Sequence, residues 1–146
     1  MRAVRIAPDN TLTELVLPES DAHSAIRESV GLPGAVDQAV HHPRALLHVH
    51  GEGRVLGLGE NLVAWALASA WRGMSLYPLH GPVVVTGRTH HGGVAALDDD
   101  LVQHARTVTQ TVRDTLDTWR TRPPVSYEAA LRELLAHAAR DVAVGR

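Results

Sequence analysis

Two histidines separated by a single residue, His48 and His50, are the side chains of this sequence best suited to metal or acid–base chemistry. They lie in the run ALLHVH, whose alternation of apolar and polar residues predicts a β-strand. Alternate residues of a strand point to one face, so the two imidazoles could provide two ligands to a metal. A third ligand is needed, and the candidates are Glu52, Glu60, His42 and His80. No spacing selects one of them, and a polar sheet face open to solvent is the simpler interpretation.

The glycines that follow, in GEGRVLG, could in principle surround a phosphate. A dinucleotide-binding motif requires a helix that begins inside the glycine run, and a Walker loop requires Gly-Lys-Ser/Thr. Neither is present here, and RVLGLG instead alternates like a return strand, which predicts a hairpin turn at Gly51-Glu52-Gly53. An anion could still meet the polar face formed by His48, His50 and Arg54. These three residues are the candidate ligand-binding site.

The sequence has few of the residues and motifs that other kinds of catalytic or metal site require. The chain has no cysteine, which excludes disulfides and thiolate metal sites, and it has no Gly-x-Ser-x-Gly nucleophile motif. Asp98, Asp99 and Asp100 are adjacent, so on a helix they diverge and suit the positive helix N-terminus better than a metal ion. His90 and His91 fall in a predicted loop. We therefore assign no catalytic residue, no metal and no cofactor.

The 146 residues are enough for one domain with a substantial core. The formal net charge is −2, and all 14 cations are arginines dispersed along the chain. Clustered cations and stacking aromatics are typical of nucleic-acid binders, so nucleic acid is not an expected partner. No apolar run approaches the ~20 residues of a membrane helix. The N-terminus does not read as a signal peptide, and a cytoplasmic location is expected.

The hydrophobic pattern predicts an α+β fold with a mixed or antiparallel sheet of about five strands, two short helices and a C-terminal antiparallel helical hairpin. Ser20 or Asp21 would cap the first helix over 22–30, and Asn61 would cap an apolar helix over 62–71. GPVVVTG is flanked by glycines and predicts a strand in the middle of the sheet. The strand predictions are RAVRIAP, TLTELVLP, AVDQAVHH, ALLHVH, RVLGLG and GPVVVTG.

Two long amphipathic helices are predicted after the sheet, separated by Pro123-Pro124. They divide the chain into an α+β core (1–97) and a helical hairpin (98–146), which could pack on that core or on a partner. A homodimeric four-helix arrangement would bury both apolar stripes, and Trp119 and Tyr127 could anchor it. The candidate interface residues are Leu116, Trp119, Tyr127, Leu131 and Leu134.

The order of these segments resembles the family catalogued as domain of unknown function 3846, over roughly residues 1–106. The resemblance is carried by RAVRIAPDN, IRESVG, the unit ALLHVHGEGRVLGLGEN, the strand GPVVVTG and the acidic helix start LDDD. That family comprises small proteins of phages, plasmids and other mobile elements without established catalytic residues. The resemblance implies an accessory role on a mobile element, for example against host defence.

Three functional hypotheses follow from these observations. The first is a non-enzymatic accessory protein that binds a host protein or itself as a homodimer. The second is a protein that binds or sequesters a small nucleotide-like anion at His48, His50 and Arg54. The third is a metal-dependent hydrolase that uses His48 and His50.

Overall fold

A computed structural model describes residues 1–31 and 33–144 of the chain. The α+β prediction is confirmed, with an antiparallel sheet and four helices. The elements are β1 (Arg2–Ile6), β2 (Leu12–Val16), α1 (Ala22–Val30), β3 (Val36–His42), β4 (Ala45–His50), α2 (Leu62–Arg72), β5 (Val83–Arg88), β6 (Val94–Ala95), α3 (Asp99–Thr118) and α4 (Tyr127–Val144).

The sheet has the strand order β2-β1-β5-β4-β3, and the two-residue strand β6 pairs with β5. All strand pairs are antiparallel. The strand β5 lies in the centre, as its uninterrupted valines predict, because a strand between two neighbours and two covered faces has no solvent-facing side. Val83, Val84 and Val85 are all fully buried.

One predicted strand is wrong. RVLGLG does not return along β4; residues 51–57 instead form successive turns, and β4 pairs with β3 on one side and β5 on the other. Val55 is 86% exposed and Leu56 is 53% exposed, so this segment leaves most of its apolar area unburied and contributes nothing to the sheet. The apolar strand β5 takes the position beside β4, because its valines bury completely there.

Helices cover the sheet unequally. On one face, α2, α3 and α4 enclose the larger core, which contains Val4, Leu47 and Val85. On the other face, α1 contributes Ile26 and Val30 to a smaller core. Because α2 lies between the sheet and the α3–α4 pair, eight of its eleven residues are buried. Its apolar sequence, LVAWALASAWR, is the composition expected of a helix covered on nearly all sides.

The predicted N-terminal cap of α2 is confirmed, and that of α1 is not. Asn61 caps α2, and Gly73 ends it in the left-handed conformation. Gly31 does the same for α1, but Asp21 at the start of α1 makes no capping hydrogen bond. Ser126 caps α4, accepting a hydrogen bond from the Ala129 amide at 3.0 Å.

The three adjacent aspartates begin α3 as predicted, but they also form ion pairs with the sheet. Arg44 pairs with Asp98 at 2.7 Å and with Asp100 at 2.6 Å, while Arg2 pairs with Asp99. Two of the three carboxylates therefore converge on one cation, because Asp98 precedes the first turn of the helix and does not follow helical geometry. The acids attach the start of α3 to β1 and to the β3–β4 turn.

The C-terminal helices pack within the chain. They contact each other and α2, and their apolar stripes belong to the same core as the sheet valines. Leu134 is 1% exposed, while Leu116, Trp119 and Leu131 are half-buried against that core. Of the five candidate interface residues, only Tyr127 is mainly exposed. The boundary between 97 and 98 marks the start of a helix but divides no hydrophobic core.

Asn61 has a buried side chain that joins three segments. Its amide nitrogen donates to the Ile6 carbonyl at 2.9 Å and to the Gly81 carbonyl at 3.0 Å. Its side-chain oxygen accepts from the Ala64 amide at 3.1 Å. Both amide hydrogens and the side-chain oxygen are therefore used, and the residue is 0% exposed.

Replacement of Asn61 by alanine should therefore be costly. We expect Asn61→Ala to lower the free energy of unfolding by about 3 kcal/mol or more, because it removes the Asn61 hydrogen bonds from a buried amide and two buried carbonyls. Urea denaturation measures this. Ser126→Ala removes a comparable cap at an exposed helix start and should cost only about 1 kcal/mol. Equal losses in the two variants would contradict the role given to Asn61.

Leu134 tests the packing of the helical pair. We expect Leu134→Ala to lower the free energy of unfolding by about 2–4 kcal/mol through lost burial and a residual cavity. Denaturation at two protein concentrations tenfold apart distinguishes the origin of the loss. A loss that is independent of concentration agrees with packing inside one chain, whereas a loss that shrinks on dilution would indicate that Leu134 packs between chains, because a contact between chains stabilises the fold only while the dimer is present.

Candidate functional site

His48 lies inside the protein and not on an open face. It is 1% exposed, on the face of the sheet that α1 covers. Its Nε2 is 2.9 Å from the Thr86 hydroxyl, and that hydroxyl donates to the Gly87 carbonyl. Nε2 therefore carries the hydrogen and donates to Thr86. Burial, with a smaller contribution from nearby His23, lowers the pKa of His48 from 6.5 to about 4.

His50 is held by backbone groups on both sides of its ring. Its Nε2 lies 2.9 Å from the Pro33 carbonyl, and its Nδ1 accepts from the Glu52 amide at 3.0 Å. A carbonyl only accepts, so Nε2 carries the hydrogen and the ring is neutral in this arrangement. The ring is 4% exposed and lies against Gly34, where an added Cβ would be 2.9 Å from Nε2.

The interpretation of this pair as a polar face open to solvent is therefore wrong. The strand does place both imidazoles on one face, as its alternation predicts, but α1 and the residues before β3 cover that face. Arg54, the third predicted ligand residue, is exposed on the turn after β4 and lines a cavity that includes neither histidine. The structure thus does not bring His48, His50 and Arg54 into one open site.

The cavity beside Arg54 has a volume of about 320 Å³. Three segments form it: the turns after β4, the loop between α2 and β5, and the first residue of α4. It is lined by Arg54, Glu60, Tyr77, Pro78, His80 and Tyr127. The sequence predicts Arg54 as a ligand-binding residue and Tyr127 as an interface residue, and it offers Glu60 and His80 as alternatives for a third metal ligand.

Backbone pairing sets the positions of the polar residues in this cavity. Glu60 and His80 face each other in an isolated antiparallel bridge, so their side chains are neighbours. The His80 Nδ1 lies 3.0 Å from the Leu58 carbonyl and donates to it, because a carbonyl oxygen only accepts. The Tyr127 hydroxyl contacts both Glu60 oxygens, at 3.0 and 3.1 Å. Partial burial and the Glu60 carboxylate raise the pKa of Tyr127.

Exposed aromatic side chains line the cavity, and exposed apolar residues adjoin its lining residues in the chain or in a second cavity. Tyr77 is 89% exposed and Tyr127 is 52% exposed. Val55 and Leu56 follow Arg54 directly, and Met74 lines a neighbouring cavity that also includes Tyr77. We call this region the tyrosine surface, comprising Arg54, Val55, Leu56, Met74, Tyr77 and Tyr127. Its apolar residues are exposed although burial would be favourable, so this region is the candidate functional site.

The tyrosine surface gave only a weak signal in the sequence. The predicted strand RVLGLG would pack against β4 and partly bury Val55 and Leu56. The sequence therefore does not indicate that these two side chains are exposed. A signal existed in the tyrosines, because the chain has only two and each stands beside a proline- or serine-containing loop. Nothing in the sequence spacing indicates that residues 54, 77 and 127 meet.

Other polar clusters in the structure have structural partners. Trp71 lies between His42 and His104, and its indole nitrogen donates to the His104 Nδ1 at 3.1 Å. His90 and His91 contact each other in the exposed loop after β5, as the loop prediction implied. Within residues 1–31 and 33–144, no three His, Asp or Glu side chains are grouped closely enough to hold a metal ion.

Comparison of the chain with protein-family models, with curated protein sequences and with solved structures found no match. No helix in the described part of the chain has the length and apolar character needed to cross a membrane.

The buried His48 leads to a pH prediction. Its pKa is lower in the folded than in the unfolded chain, so the unfolded chain binds a proton first as the pH falls. The contribution of neutral His48 to the free energy of unfolding should be complete above about pH 6.5. It should decrease toward pH 4, by up to about 3 kcal/mol. We expect His48→Gln to reduce the difference in unfolding free energy between pH 7 and pH 4.5 by about 2 kcal/mol.

The control for this experiment is His91→Gln, which changes an exposed loop histidine. It should leave the pH dependence of unfolding unchanged. If His48→Gln and the wild type lose equal stability between pH 7 and pH 4.5, His48 does not remain neutral in the folded protein.

Proposed function

We propose that this chain is a non-enzymatic protein-binding module whose partner docks on the tyrosine surface. The observation that carries the proposal is the position of both tyrosines of the chain. They line one cavity, they are both exposed, and they adjoin exposed Val55, Leu56 and Met74. Tyrosine, methionine and arginine are the residue types enriched at protein interfaces and their energetic centres.

The hydrogen bonds of the buried histidines favour binding over metal-dependent hydrolysis. His50 would have to break a backbone hydrogen bond to offer either nitrogen to a metal. His48 would need α1 to move away before a substrate could reach it. Residues with these constraints stabilise the fold, whereas the side chains of the tyrosine surface are exposed and available to a partner.

The resemblance to the family of domain of unknown function 3846 indicates what kind of partner to seek. In our proposal, the chain is an accessory protein of a phage or other mobile element, and it binds a host protein or a second copy of itself. The packing of Leu116, Leu131 and Leu134 inside the chain moves the expected interface from the helical stripes to the tyrosine surface.

A small-ligand site in the same cavity is the second candidate, because the cavity is within the size range of ligand clefts. Arg54, one of the three residues predicted to bind an anion, lines it, although His48 and His50 do not. Glu60 would repel a simple anion, so such a ligand would carry a positive group as well. Native mass spectrometry of the gently purified chain would reveal it as added mass.

Site-specific photo-crosslinking tests the protein-binding proposal in the cells that produce the chain. A photoreactive residue at position 56 should crosslink to a defined protein, which is then purified. We expect Tyr77→Ala to raise the dissociation constant for that protein at least tenfold, because exposed tyrosines contribute strongly when buried at an interface.

Val16 provides the matched control. It is 88% exposed and lies on the edge strand β2, outside the tyrosine surface. A photoreactive residue there should give no crosslink to that protein, and Val16→Ala should leave the dissociation constant unchanged. Equal crosslinking from positions 16 and 56, or unchanged affinity in Tyr77→Ala, would contradict the proposal.

A further inference from the structure

We infer that a second copy of this chain occupies the tyrosine surface, and that the two copies pair Arg54 of each with Glu60 of the other. This inference rests on the proposed function and names the partner. It is argued from the charges in the cavity and from the symmetry that two identical surfaces impose.

The cavity contains one cation and one anion that do not pair within the chain. Arg54 and Glu60 both line it, yet among the described residues neither has an oppositely charged group within 4 Å. Glu60 accepts only the neutral Tyr127 hydroxyl in the bonds found there. By contrast, Arg2, Arg44 and Arg122 each pair with carboxylates of distant segments.

A twofold axis converts these two charges into complementary partners. In a symmetric dimer the same patch faces itself, so a residue i that contacts j is matched by j contacting i. A surface with one arginine and one glutamate on opposite sides of the axis therefore forms two equivalent ion pairs. A surface with charges of a single sign would instead repel its own copy.

The apolar residues provide the remainder of the contact. Tyr77 and Tyr127 line the cavity that holds the two charges, and Tyr77 also lines a second cavity with Met74. Val55 and Leu56 follow Arg54 directly in the chain and are exposed, so association through this surface would remove apolar area from water. Charged groups that pair across an interface fix its register, while buried apolar and aromatic side chains supply most of the affinity. The tyrosine surface contains both kinds of group, with the charges in the cavity and the apolar residues around it.

Charge reversal tests the inference with the full chain. Analytical ultracentrifugation of the wild type between 1 and 200 µM should show a dimer of twice the 15.7 kDa chain mass. Arg54→Glu alone and Glu60→Arg alone should each raise the dimer dissociation constant at least tenfold, because each places like charges together at both symmetric pairs.

Mixing the two charge-reversed variants gives the decisive measurement. One variant then has carboxylates at both positions and the other has guanidinium groups at both, so every cross-pair is attractive. Native mass spectrometry of the equimolar mixture should show a heterodimer with one copy of each variant. The double variant Arg54→Glu/Glu60→Arg should recover a homodimer.

Two substitutions elsewhere serve as controls for the change in net charge. Arg132→Glu and Glu19→Arg reverse exposed charges outside the cavity and should leave the wild-type dissociation constant unchanged. Melting temperatures of all variants show that each is folded. Rescue on mixing also requires that both single variants are folded.

Three results would overturn the inference: a wild type that stays monomeric at 200 µM, single variants that dimerise as the wild type does, or a mixture that stays monomeric. None of these would by itself refute the proposed function. If Tyr77→Ala still weakens binding to a crosslinked protein other than this chain, the tyrosine surface binds a different partner and only self-association is wrong.

Discussion

The carboxamide of Asn61 is the interaction on which the arrangement of this protein depends. It is a single buried group that hydrogen-bonds the end of β1, the approach to β5 and the first turn of α2. A side chain with both donors and an acceptor is required there, because two carbonyls and one amide converge where water cannot reach. The neighbouring backbone bonds, Asn61 to Leu79 and Gly81 to Gly59, extend the same junction.

This junction also explains where the candidate site lies. Residues 51–60 and 74–80 precede and follow α2, and the junction brings their ends together. The bridge between Glu60 and His80 is part of it, so two walls of the cavity are positioned by the same bonds that attach α2 to the sheet. Tyr127 completes the cavity because α4 packs on α2. The tyrosine surface is thus a consequence of how α2 is held, although its own residues contribute little to the core.

The histidines of β4 show how residues suited to chemistry can serve the fold instead. An imidazole is large enough to fill core volume and has one donor and one acceptor when neutral. His48 uses its donor on Thr86, and His50 satisfies two backbone groups near the start of β3 and the end of β4. Burial keeps the proton off His48 at neutral pH. The same constraints that make these rings good structural elements make them poor ligands.

The sequence by itself determined the local elements and the fold class. Hydrophobic periodicity identified α1 to α4 and the glycine-flanked strand β5, and residue type identified the capping role of Asn61, because these depend on a few neighbouring residues. Only the tertiary structure decided that β5 and not RVLGLG pairs with β4, that α1 covers His48, and that Arg54, Glu60, Tyr77 and Tyr127 share a cavity. These outcomes depend on which of several distant segments buries more apolar area at a given position. The pattern of neighbouring residues does not determine that.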